Sequence, residues 1–95
     1  MMNIIHVGDQ FPGGVVERVI DIHMGGRCSE YYTYSMEYEC LYRLNGRWYM
    51  YEECDGQNGG SMTSNLSSVN DCNVEEFAEE RKTIWQRRLG ISPQM

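Results

Sequence analysis

The chain has 95 residues, with 14 acidic against 8 basic side chains and a net charge of −6. That length suits one domain with a modest core, and the sign argues against nucleic acid or an anionic membrane as a direct partner while permitting a basic protein. No run approaches transmembrane length, and Met1-Met2-Asn3-Ile4-Ile5-His6 lacks the basic segment and long apolar core of a secretory leader, so a cytoplasmic location is expected.

The first predicted element is a short apolar edge strand over residues 3–7. Gly8-Asp9-Gln10-Phe11-Pro12-Gly13-Gly14 then bars continuation of strand or helix. A second strand runs over 15–24, with Val16, Ile20, Ile22 and Met24 on one face. A five-residue loop, Gly25 to Ser29, would bring that face beside the next strand by pairing Ile22 with Tyr32 and Ile20 with Tyr34. A two-residue turn would put the apolar faces on opposite sides.

The third and fourth strands, about 30–44 and 47–54, form the firmest element. Asn45-Gly46 between two β-prone runs predicts a type I′ hairpin, because that turn needs positive φ at both central residues. Leu44 then faces Arg47. One face pairs Tyr42 with Tyr49, Cys40 with Tyr51 and Tyr38 with Glu53. The other pairs Arg43 with Trp48, Leu41 with Met50 and Glu39 with Glu52. The first face continues upstream through Tyr32, Tyr34 and Met36 and is expected to be the core side. Glu39 opposite Glu52 is unfavourable, since like charges directly across a ladder repel.

Residues 55–72 read as loop, rich in Gly, Ser and Asn, with Met62, Leu66 and Val69 available to a poor fifth strand. A helix is predicted over about 74–89. Asn73 stands at its cap with Glu76 in a capping-box position, and Gly90 and Pro93 follow its end. Val74, Phe77, Ala78, Ile84, Trp85 and Leu89 fall on one stripe, expected to pack on the tyrosine face. The fold class is therefore α+β: an antiparallel meander of four strands, or five, with one C-terminal helix on one face. Val7-Gly8-Asp9 and Gly14-Val15-Val16 resemble the opening strands of SH3-like small barrels of the Tudor kind over the first third of the chain. That resemblance implies a sheet curled toward a half-barrel.

Charge is unevenly placed. Val74 to Arg88 holds four Glu and four basic residues, whereas residues 1–73 hold ten acids and four arginines, so the whole −6 falls on the β part.

Catalysis is not expected. His6 and His23 have no recognisable nucleophile or acid partner, and Gly56 to Gly60 is not followed by the Lys-Ser/Thr of a phosphate loop. Cys28, Cys40, Cys54 and Cys72 contain no CxxC pair and no histidine at metal spacing. Cys54 and Cys72 could bridge in an oxidising compartment; in the cytosol, free thiols are expected. Glu37, Glu39 and Glu52 could in principle hold a hard cation, but they lack calcium-loop spacing, so neither metal nor cofactor is expected.

If the helix covers the tyrosine face, Leu41, Arg43, Trp48 and Met50 stay open within a rim of Glu37, Glu39, Glu52 and Glu53. Residues of this kind concentrate at interface centres; the alternative is an Arg43–Trp48 cation–π pair in ordinary packing. The functional expectation is a small acidic, non-enzymatic protein that inhibits a protein partner. It would present this surface to a basic groove that normally holds nucleic-acid phosphates. Small acidic inhibitors of phages and mobile elements, anti-CRISPR proteins and other DNA mimics among them, share that general character. Two alternatives stand beside it. One is a barrel-like adaptor whose Tyr32, Tyr34, Tyr38, Tyr42, Tyr49 and Tyr51 grip a peptide. The other is a subunit that self-associates as a homodimer through the apolar patch.

Overall fold

The computed structural model describes residues 3–24, 34–56 and 60–88, with side chains over 3–24, 38–54 and 60–87. The strands are β1 (Gln10–Phe11), β2 (Gly14–Met24), β3 (Tyr34–Leu44), β4 (Arg47–Gly56) and β5 (Gly60–Asn65), followed by the helix α1 (Val74–Arg88). They form one five-stranded antiparallel meander in chain order, curled into a half-barrel with α1 against one face. The expected α+β class holds, and a fifth strand is present, containing Met62 but ending before Leu66 and Val69.

The central hairpin follows its turn chemistry. Asn45 (φ 54°) and Gly46 (φ 76°) both occupy the left-handed region that a type I′ turn demands. The ladder from Leu44↔Arg47 through Tyr38↔Glu53 has the register read from the sequence. The Asn45 side chain also donates to Gly13 O, which ties this turn to the β1–β2 turn. An added Cβ at Gly14 (φ 144°) would lie 2.9 Å from that asparagine, so glycine is required there.

Three expectations fail. Residues 3–6 are not a strand; the first pairing is the two-residue β1, because Asp9 folds the segment back by accepting the His6 N–H (2.9 Å). The β2–β3 register also differs. Ile20 faces Leu41 and Met24 faces Tyr38, so Ile20 does not meet Tyr34. Register shifts between Val16 and Arg18 and between Asp21 and His23 let β2 change faces along its length. Val16 joins the tyrosine side, while Ile20 and Ile22 join Leu41. The anticipated loop 25–29 lies outside the described residues.

The third failure concerns the helix. Most of its stripe is as expected: Val74, Ala78 and Trp85 are buried and Phe77 packs beside them, whereas Ile84 is half-buried outside that cluster; Leu89 lies outside the described residues. They pack, however, on Ile22, Leu41 and Trp48, not on the tyrosines. The tyrosine face is covered from the N-terminal side, where Ile5 and Phe11 pack with Val16, Tyr38, Cys40, Tyr42 and Leu44. Its hydroxyls have acid partners: Tyr38 Oη donates to Asp21 (3.0 Å) and Tyr51 Oη to Glu53 (2.7 Å). Two small cores thus sandwich one sheet.

The start of α1 departs in detail from the capping box. Asn73 O accepts the Phe77 N–H (3.0 Å), but its side chain turns back, taking the Asn70 N–H (2.7 Å) and donating to Ser68 O (3.1 Å). Asn70 Oδ1 receives the N–H groups of Cys72 and Asn73 (2.8 and 3.1 Å). Paired asparagines close the turn ahead of the helix, and short polar side chains suit this because they bond the backbone locally.

Candidate interaction surface

The residues expected to form an open patch lie beneath α1. Leu41 is fully buried, Trp48 is 1% exposed, and Met50 packs at the margin of the same core. Trp48 Nε1 donates to Asp71 Oδ1 (2.8 Å), which fastens the approach to the helix onto the sheet. The cation over its ring is Arg18, with Cζ 5.2 Å from the centroid, rather than Arg43. Arg43 instead reaches Glu17 (3.0 Å) and Asp71 (3.3 Å). Glu37 lies outside the described side chains.

The acidic rim is drawn inward. Glu39 is 0% exposed. Arg81 grips it with two donors, Nε to Oε2 (2.8 Å) and Nη2 to Oε1 (2.9 Å), and Trp85 Nε1 donates to Oε1 (2.9 Å). Arg81 also stands 3.8 Å from Glu52. Burial alone pushes the Glu39 carboxyl up, but the Arg81 and Trp85 donors and the arginine's charge outweigh it and hold the group below its ordinary value. The same bidentate bond raises Arg81 further. The opposition of Glu39 and Glu52 is therefore resolved by a helix cation between them. Trp85 is additionally stacked on His23, with centroids 4.2 Å apart and planes 5° from parallel.

Glu53 belongs to the other face, where it is buried and accepts from Tyr51 Oη and the Asn3 N–H (3.1 Å). The aromatic cage fares like the patch. Tyr38 and Tyr42 are buried, Tyr49 and Tyr51 are half-buried, and Tyr32 and Tyr34 lie outside the described side chains. Burial raises the Tyr38, Tyr42 and Tyr51 hydroxyls above their ordinary range and the Cys40 thiol to about 11. Cys72 is an exposed free thiol, so no bridge to Cys54 closes the 55–72 segment. No described helix is long and apolar enough to cross a membrane.

Glu17, Asp21 and Asp71 are exposed off the helix, and a group of four exposed acids lies on α1. Glu75, Glu76, Glu79 and Glu80 are all exposed. At 100° per residue they span an arc opposite the buried Val74, Ala78 and Trp85. Arg18 pairs with Glu75 (3.2 Å) and Lys82 with Glu79 (3.4 Å), surface contacts worth little in free energy. No described ion pair engages Glu76 or Glu80. The charge tally by segment hid this surface, because the helix sums to zero over its four acids and four bases. No family model, curated protein or solved structure matches the chain.

Proposed function

We propose that this chain is a small non-catalytic binding protein that inhibits a protein partner by offering carboxylates to a basic groove built for nucleic-acid phosphates. Such a role is the kind performed by phage and mobile-element anti-defence proteins. One observation carries the reading: the sheet acids Glu39 and Glu53 are buried and engaged, whereas Glu75, Glu76, Glu79 and Glu80 stand exposed on the outer face of α1. Glu76 and Glu80 are one turn apart, a rise of about 6 Å, on a helix braced by two tryptophans. A rigid row of anions attracts the lysines and arginines of such a groove and steers association.

The test is a tagged pull-down from a lysate of the source cells, with wild type beside Glu76→Lys/Glu80→Lys. The reading expects enrichment of a nucleic-acid-binding protein that is lost in the double variant and in high salt. Equal recovery by both forms would contradict it.

A further inference from the structure

Among the described residues the half-barrel has an open edge at β5. Among the described residues β5 has β4 as its single strand neighbour. The Leu66 N–H donates to Trp48 O (3.0 Å). At period two, the main-chain groups of Gly60, Met62 and Ser64 therefore face β4, and those of Ser61, Thr63 and Asn65 point outward. All three of these residues are exposed. Natural edges are commonly blunted by charge or proline, and β5, Gly-Ser-Met-Thr-Ser-Asn, carries neither.

Two hollows accompany this edge. One, of about 230 Å³, is lined by Asn3 and Asp9 together with Ile4, Ile5, Phe11, Tyr51 and Thr63. The other, of about 210 Å³, is lined by Asn3, Glu53, Cys54, Gly60 and Ser61. Ser61 and Thr63 are successive positions on one face, roughly 7 Å apart, so side chains two residues apart on an added strand would meet both hollows. Each hollow has one carboxylate residue among those lining it, and neither has a lysine or arginine.

We propose that β5 and these hollows form a docking site for an extended peptide segment of a partner protein, which adds to the sheet as a sixth strand. An apolar side chain of the segment rests on Ile4, Phe11 and Tyr51, and a lysine or arginine two residues away lies over the second hollow, where Glu53 is 7% exposed and its Oε1 already takes the Tyr51 hydroxyl and the Asn3 N–H. Main-chain bonds supply the adhesion and the hollows supply the selectivity. A second copy of this chain is the poorer occupant: its β5 would offer Ser61, Thr63 and Asn65 to an apolar hollow, and it repeats the charge of −6. This site is independent of the acidic face of α1, which lies on the other side of the sheet.

The experiment pans a display library of random octapeptides on wild type and on Thr63→Pro. Proline there removes an outward N–H and no bond to β4, so the ladder survives. Enriched peptides should share an apolar residue and a Lys or Arg two positions apart, and should bind wild type at least tenfold more tightly than Thr63→Pro. They should also slow amide exchange at Ser61, Thr63 and Asn65. Ile4→Lys, at a side chain already 39% exposed, should weaken binding by a similar factor without altering the edge. No enrichment, equal enrichment on both proteins, or a concentration-dependent dimer abolished by Thr63→Pro would overturn the proposal.

Discussion

Glu39 shows how one side chain can look wrong locally and be required globally. Its carboxylate sits in the core with three donor contacts from α1, and its folded pKa lies below the ordinary 4.5. The unfolded chain therefore binds this proton first as pH falls. The stability Glu39 contributes is present above about pH 4.5 and is lost as pH drops through the folded value. Cys40 has the opposite sign. Burial raises it from 9.0 to about 11, so the unfolded chain releases its proton first, and stability declines as pH rises through that interval. The raised tyrosines Tyr38, Tyr42 and Tyr51 act in the same alkaline direction. Thermal melts across pH should show a plateau between about 5 and 9 with a fall on each side. A melting temperature that holds level from pH 5 down to 3 would contradict the Glu39 assignment.

At the level of elements, the junction between β3 and α1 depends on Arg81. Replacing it with methionine keeps much of the stem's packing but leaves a buried carboxylate without its cation, at a cost of about 3–5 kcal/mol. Arg81→Met should therefore melt well below wild type, and Glu39→Gln/Arg81→Met should recover much of the loss in a double-mutant cycle. Additive losses would mean that the two side chains do not act as a pair.

The hairpin and the helix stripe were legible in the sequence because both rest on local chemistry. Asn45-Gly46 sets a register through two dihedrals, and Val74, Ala78 and Trp85 recur at helical spacing. The face on which the helix packs was not legible. Continuous tyrosines suggested the core side, yet the Tyr38 and Tyr51 hydroxyls have acid partners on the sheet, and Ile5 and Phe11 cover this face. The contrary signal was the Glu39–Glu52 opposition, which asked for a cation, and Arg81 of α1 brings one. The β2 register failed for a related reason: bulges move residues between faces without leaving a mark in the hydrophobic pattern.

For the whole molecule, the distribution of charge matters more than its sum. The net −6 first suggests an acidic sheet, but Glu39 and Glu53 are absorbed into the two cores. The exposed acids of α1 are concentrated in its first half, and its basic residues lie further along. The anticipated patch around Trp48 is the helix's seat, so the binding surface proposed here is the back of that helix. The open edge at β5 is a separate surface on the opposite face.

The most direct test of this account is displacement of a labelled DNA duplex from the nucleic-acid-binding protein recovered on the wild-type chain. Wild type should displace the duplex with a steep dependence on salt. Glu76→Lys/Glu80→Lys, with its melting temperature unchanged, should displace it at least tenfold less effectively. Equal displacement by the two forms, or binding that leaves the duplex in place, would contradict the acidic face of α1 as the surface that competes with nucleic acid.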